Sequence, residues 1–245
     1  MPHDASATSE PFNPHNLLDR LSADETLEHH YDHLVDRERR LLGRRLGITR
    51  GTVLSLGAGR HPGRHLFPAP DFEIVAVDSD PAPVAAIQRS GTADQAFVGA
   101  AGALDELPDA SFDVVLCRLV LHHIAYQGPL APVFTEAARL LRPGGALVAI
   151  EPNRWHPVGM ALTAANRIGL ANLVHGTPDD IPLSPKQLLA EANAAGLTPE
   201  LYGVTYGWRR LPIPVQQALA PLDDLGSRPR AARLAHTLML IARHR

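Results

Sequence analysis

The stretch Val53-Leu54-Ser55-Leu56-Gly57-Ala58-Gly59-Arg60-His61-Pro62-Gly63 decides how the chain is read. A short apolar run passes straight into Gly-x-Gly. Glycine is needed where a chain turns tightly, or where a ligand must approach the backbone with no Cβ between. At the mouth of the first strand of a doubly wound sheet, such a ligand is typically a nucleotide. Asp78 stands about 21 residues beyond Gly57, against roughly 20 for the carboxylate that takes ribose hydroxyls in these sheets. It also directly follows a second apolar run, Glu73-Ile74-Val75-Ala76-Val77. The competing reading of the same residues is a glycine turn in an unrelated α/β protein, with Asp78 as a helix cap.

Outward from this stretch the same alternation continues. Phe112 to Cys117 and Ala146 to Ile150 read as buried strands, and Pro81 to Arg89 and Leu130 to Leu141 as helices, the last stopped by Pro143-Gly144-Gly145. Short apolar strands alternating with helices imply a parallel sheet covered on both faces. Before the glycine loop, Leu27, Tyr31, Leu34, Val35, Leu41, Leu42 and Leu46 recur at helical steps, ending at Gly47 and Gly51. After Asn153 the alternation weakens. Ser184-Pro185 starts a helix that stops at Gly196, and residues 200–205 and 237–242 read as two final strands. The excursion over 207–236 is expected on the surface. The organisation expected is one domain: a loose arm over 1–16, a helical cap over 17–50, a cofactor-binding core over 51–153, a substrate-lid insertion over 154–182, and the rest of the sheet over 183–245.

The chain has 245 residues, 45% hydrophobic and 20% charged, with a formal net charge of −3. That is ordinary globular composition, with no global pull toward nucleic acid or anionic membrane. One cysteine, Cys117, excludes an intrachain disulfide and suits a reducing compartment. The beginning of the sequence has no charged-then-apolar leader pattern, and no apolar run is long enough to span a bilayer. A cytoplasmic protein, a monomer or homodimer, without nucleic-acid or membrane partners is the expectation.

Four stretches, in order, resemble the class I methyltransferases, and among them the small-molecule methyltransferase 11 type. They are Val53 to Gly63; Ile74 to Asp78; Asp105 to Val115 followed by Leu119-Val120-Leu121-His122-His123-Ile124; and Leu140-Leu141-Arg142-Pro143-Gly144-Gly145-Ala146-Leu147. The resemblance covers about residues 50–153. It implies a Rossmann-like, seven-stranded, mostly parallel sheet in order 3-2-1-4-5-7-6, with helices on both faces and the seventh strand antiparallel. It implies S-adenosyl-L-methionine as cofactor and S-adenosyl-L-homocysteine as product. The residues it places at the cofactor are Ser55, Gly57, Ala58, Gly59, Asp78, Ser79, Ala103, Leu104, Arg118 and Leu119. Asp78 would accept from the ribose hydroxyls, and Leu104 would offer its backbone N–H to adenine. Arg118 and Leu119 would flank the methionine end. Two positions depart from the family pattern: Ser55 and Ala103 stand where the family often has acids.

Methyl transfer from a sulfonium disperses charge, so the protein mainly positions reactants and excludes water. A base is needed only where the nucleophile carries a proton of high pKa. Among 13 histidines, His123 follows the fourth strand at the active edge and His30 lies on the first helix; these are the candidate catalytic residues. His29 and His33 share one face of that helix, which a solvated surface explains more simply than a metal or catalytic pair. His156 and His175 fall in the lid. Cys117 reads as a small buried side chain. Tyr202, Tyr206, Trp208 and Trp155 suit either a substrate pocket or ordinary packing. No metal site is expected.

The function this implies is S-adenosylmethionine-dependent methylation of an O, N or C nucleophile of a small molecule, with secondary metabolism as one setting. The alternative is a non-catalytic or cyclase-type cofactor-binding protein on the same fold. A nicotinamide-dependent oxidoreductase is disfavoured by the glycine spacing and by Pro62. A base-directed nucleic-acid methyltransferase is disfavoured by the missing Asn/Asp-Pro-Pro-aromatic tetrapeptide.

Overall fold

The computed structural model describes residues 24–170, 173 and 182–245. The arm over 1–16, the start of the first expected helix, and His175 lie outside these residues. Seven strands form one sheet: β1 (Gly51–Leu56), β2 (Phe72–Asp78), β3 (Gln95–Val98), β4 (Phe112–Arg118), β5 (Leu141–Pro152), β6 (Thr198–Thr205) and β7 (Thr237–Arg243). Their order is β3-β2-β1-β4-β5-β7-β6, as expected. β1 to β5 run parallel, and β7 is antiparallel to both β5 and β6.

The apolar runs are continuous because both faces are covered, and successive side chains divide between them. Leu54, Leu56, Val115, Cys117, Leu147 and Ala149 enter one core, with Val133, Phe134 and Ala137 of α4 (Ala131–Leu140) and Leu188 of α6 (Pro185–Ala194). Val53, Val114, Leu116, Val148 and Ile150 enter the other, with Leu34, Leu41 and Leu42 of α1 (Asp24–Arg45) and Phe67. Between these strands lie α2 (Pro81–Ser90), α3 (Leu121–Gln127) and α5 (Pro157–Arg167).

Local signals set the helix starts. Asp80 caps α2, its carboxylate accepting from the Ala82 amide at 2.8 Å with Pro81 at the first position. Ser184 caps α6 by accepting from the Gln187 amide at 3.1 Å. One expectation changes. β5 begins at Leu141, not Ala146, because the Arg142–Gly145 turn stays extended and pairs with the far end of the chain through His244 N–H to Gly145 O at 2.9 Å. The excursion over 207–236 lies mostly at the surface, as expected, and is anchored at a few buried positions. It carries α7 (Ile213–Leu219), a 3-10 segment (Ala220–Ser227) and α8 (Pro229–Ala232), and it buries Gln216, Asp223 and Ala235.

Because β7 is antiparallel, its first residue pairs with the last of β5 (Pro152 with Thr237) and the last of β6 (Thr205 with Thr237). The carboxyl edge of the sheet therefore gathers Gly57, Asp78, Arg118, Asn153, Thr205 and His236. Asn153 fixes one corner, donating to the Arg233 and Ala235 carbonyls and accepting from the Trp155 amide.

Candidate cofactor and acceptor site

The glycine loop leaves β1 in two left-handed steps, Gly57 at φ +56° and Gly59 at φ +53°. The two serve different ends. A Cβ at Gly57 would stand 2.1 Å from Val120 Cγ2, so this glycine lets the loop after β4 close in. A Cβ at Gly59 would meet nothing within 4 Å, so this glycine faces open space. Beside it, Asp78 accepts from the Gly59 amide at 2.8 Å and from the Asp80 amide at 2.9 Å, one on each carboxylate oxygen. The helix cap is Asp80, and the Asp78 carboxylate is held at the loop instead. Each of its oxygens has lone-pair capacity left for a hydroxyl. Ala58 is buried, with its amide on Val77 O, and Ser79 is exposed.

After β3 the structure corrects one expectation. Leu104 is 4% exposed, and its amide donates to Glu136 Oε1 at 2.9 Å. A backbone N–H has one hydrogen, so this one is not offered to an adenine ring. Arg139 completes a clamp on the loop. It bonds both Glu136 oxygens and the carbonyls of Leu104 and Leu107, and it pairs with Asp109. Ala103 is exposed, and its amide turns back to Ala100 O. The Asp105–Leu107–Pro108 register therefore led to a structural turn, one step past the Ala100–Gly102 segment that directly follows β3.

At the end of β4, Leu119 takes φ +55°, a costly conformation for a branched side chain, and its amide is tied to Ile150 O at 2.8 Å. Arg118, one residue earlier, donates from Nε to Glu38 Oε2 of α1 at 3.0 Å. Ser55 is buried on the same sheet face. Glu151, at the end of β5, is fully buried and accepts from the Val120 and Leu121 amides and from His122 Nδ1. His123 is half-buried, its ring stacked on His122 at 4.0 Å.

His30 is brought into a different group. Its ring meets His236 edge-on at 6.4 Å, and His236 meets His156 at 5.0 Å. Three elements (α1, the turn after β5 and the approach to β7) thus place three imidazoles at the carboxyl edge. Burial, with Arg209 close by, pushes His30 down to about 4, so it is neutral near pH 7. Burial lowers His236 and His156 in the same direction. His30 also lines a cavity of about 180 Å³ with His29, His33, Thr205, Gly207 and Gln216. His33 is not merely solvated: its Nε2 donates to the buried Asp223 Oδ2 at 2.6 Å.

The aromatic residues divide. Tyr202 is core, and the Tyr206 hydroxyl donates to Ala231 O, whereas Trp155 is 38% exposed beside the histidine group. Burial, then the charge of Glu151, raises the Cys117 thiol far above its ordinary value, which leaves it inert. Among the described residues no three His, Cys, Asp or Glu side chains converge as a metal site, and no helix is long and apolar enough to cross a membrane. Sequence reasoning missed Glu38, Glu136, His236 and the His33–Asp223 pair. Only Glu136 had a local signal, its i,i+3 spacing from Arg139 on α4.

Residues 54–149 match the family model described as a methyltransferase domain, of the methyltransferase 11 type. Solved structures share the fold at low identity. A methyltransferase from Thermotoga maritima, described as a possible histamine N-methyltransferase, is 16% identical with a TM-score of 0.60, covering 89% of this chain and 95% of that one. A putative methyltransferase of Haloferax volcanii, solved with the Trm112 activator, is 19% identical with a TM-score of 0.60, covering 93% and 97%. A putative sarcosine dimethylglycine methyltransferase from Galdieria sulphuraria is 18% identical with a TM-score of 0.56, covering 85% and 86%. No curated protein matches the chain in sequence. The glycine loop open at Gly59, the carboxylate fixed beside it and the matched segment agree: residues 54–149 match a methyltransferase domain of the methyltransferase 11 type, set in a sheet with the fold of these solved methyltransferases.

Proposed function

We propose that the protein transfers the methyl group of S-adenosylmethionine to an O, N or C atom of a small molecule. One observation carries this reading: Gly59 presents bare backbone to open space while its own amide holds the Asp78 carboxylate at 2.8 Å. That pairing suits a ribose, with Asp78 as acceptor for its hydroxyls and the glycines passing beneath the sugar and methionine. The cofactor supplies an electrophilic methyl group; the residues of the chain supply position and a dry surface. Adenine would then lie against the Ala100–Gly102 segment, since the Leu104 amide is taken.

The acceptor compartment in this reading is the edge over β5 and β7. There burial holds His30, His156 and His236 toward the neutral form, so that each keeps a ring nitrogen free of a proton while being a weaker base than an exposed imidazole. His30 fits the role of base better than His123, which stacks on the Glu151-bound His122. Calorimetric titration with S-adenosylmethionine, S-adenosylhomocysteine and NADH tests the reading. Saturable binding of the two sulfur ligands near one per chain, and none of NADH, is expected. Silence from both sulfur ligands would overturn it and favour a fold that holds no cofactor. The small Ala103 and the closed Leu104 amide are the features that support that second reading.

A further inference from the structure

The most unusual charge in the described residues is Glu38. It sits on the inner face of α1 and is 0% exposed, yet only one of its oxygens is hydrogen-bonded. A buried carboxylate is retained at a cost unless every lone pair is met. Arg118 meets one through Nε at 3.0 Å. Oε1 has no partner among the described residues, and neither has the buried Nε2 of His65, 3.8 Å from Oε2. Burial lowers the His65 imidazole against the opposing pull of Glu38. Burial pushes the Glu38 carboxyl up, and Arg118 and His65 together outweigh this and hold it below its ordinary value.

The position of this group is set by the sheet. Side chains alternate, and Val53, Val114 and Leu116 face α1. Ser55 and Arg118 therefore face it too. Ser55 pairs in register with Leu116, so Gly57 and Arg118 leave their strands side by side at the carboxyl edge. Arg118 is 15% exposed, and among the described residues its two Nη groups carry no hydrogen bond. An arginine anchored at Nε with its Nη pair unspent matches a carboxylate, which it can hold by two parallel bonds. The group as a whole is short of a donor for Glu38 and an acceptor for Arg118. An α-amino-acid zwitterion carries both, as ammonium and carboxylate.

We propose that Glu38 and Arg118 form the receptor for the amino-acid end of the cofactor. Arg118 takes the α-carboxylate, and Glu38, beneath it, holds the guanidinium in place and offers its remaining oxygen to the ammonium. This rests on the cofactor reading above. It also accounts for the hydroxyl at Ser55: the acid is delivered to the same face from α1 instead of from β1. Glu38 is thus a positioning residue, supplied by the cap rather than by the nucleotide-binding core.

The test is binding, not turnover. S-adenosylhomocysteine carries the amino-acid end; 5′-methylthioadenosine shares its thioether and nucleoside but lacks that end. Dissociation constants for both are measured by calorimetry on the full chain, for wild type, Glu38→Gln and Arg118→Gln. Both variants should bind S-adenosylhomocysteine about tenfold or more weaker, as expected for loss of a charge-assisted pair, and 5′-methylthioadenosine within about twofold of wild type. Equal weakening of both ligands would show a purely structural role and overturn the proposal; so would no change in either. If Glu38→Gln does not fold, the partly exposed Arg118→Gln decides alone. A wild type that binds neither ligand would overturn the cofactor reading itself, whereas tight binding of both with unaffected variants would overturn this inference only.

Discussion

His122 donates from Nδ1 to Glu151 Oε2 across 2.6 Å, while the other Glu151 oxygen accepts the amides of Val120 at 3.0 Å and Leu121 at 2.8 Å. One buried carboxylate at the end of β5 thereby fastens the first turn of α3 and the loop that packs on Gly57. Glu151→Ala would strand three donors and should cost about 3–5 kcal/mol of stability. Glu151→Gln keeps an acceptor and should cost roughly 1–3 kcal/mol. Urea unfolding of the two variants checks the order, and equal midpoints with wild type would refute the assignment.

The two loop glycines should separate folding from binding. Gly57→Ala drives a Cβ to 2.1 Å from Val120 Cγ2 and should lower stability and cofactor affinity together. Gly59→Ala meets no atom within 4 Å and carries only the left-handed penalty, about 1–2 kcal/mol. Its methyl group nevertheless occupies the space assigned to the ligand. A folded Gly59→Ala protein should therefore lose S-adenosylhomocysteine binding. Retention of wild-type affinity would show that the ligand lies elsewhere.

Asp78 and Asp80 are two residues apart and should behave differently. Asp78→Ala removes the acceptor for two hydroxyls, each charge-assisted bond being worth roughly 1.5–3 kcal/mol, so affinity for S-adenosylhomocysteine should fall about a hundredfold. Asp80→Ala removes the α2 cap, costing about 0.5–2 kcal/mol of stability, with affinity little changed. Calorimetry and thermal unfolding on the same samples measure both, and a reversed pattern would restore Asp78 as a mere cap.

The histidine group predicts a pH signature. Burial, then the charges of Arg209 and His33, lower His30 from its ordinary 6.5 to about 4, against a smaller opposing effect of Gln216 and Asp223. A folded-state value below the unfolded one means that the unfolded chain binds more protons between these limits. Stability contributed by neutral His30 is then complete above pH 6.5 and declines as pH falls toward 4. At about 1.4 kcal/mol per pH unit the loss is on the order of 3 kcal/mol. His236 acts in the same direction. His30→Gln should flatten the profile between pH 6.5 and 4.5, above the range where Glu38, Asp94 and Glu136 are protonated. An unchanged slope there would count against the buried neutral imidazole.

Most of the sheet was legible because its determinants are local. The apolar runs at 53–56, 74–77 and 112–117, and the helix starts at Pro81 and Ser184, are written in consecutive residues, and the strand order followed from the family resemblance. The register after β3 was not legible. Leu107-Pro108 fits the family spacing, but the Glu136–Arg139 clamp from α4 places Leu104 in the core. Nor was the acceptor side. His33 meets Asp223 across 190 residues, and His30 meets His236 across a comparable separation. No periodicity records such pairs, since each residue by itself fits a solvated helix or loop. The anchoring of 207–236 was hidden for the same reason: Gly203 and Gly226 meet backbone to backbone, which composition does not disclose.

Beside side-chain pairs such as His33–Asp223, a second set of ties to this excursion has a consequence beyond stability. Arg37 grips it at the Val204 and Asp223 carbonyls, Gln216 reaches the Thr26 and Leu211 carbonyls, Tyr206 the Ala231 carbonyl, and Asn153 those of Arg233 and Ala235. Each of these bonds ends on the main chain, whose chemistry is the same whatever side chain it bears. Apart from Asp223, whose side chain holds His33, and Ala235, packed on Gly203, the residues contributing those carbonyls can therefore be exchanged with these bonds kept. A wall tied in this way over the acceptor compartment lets the pocket lining drift toward new acceptors while the frame that positions them stays put.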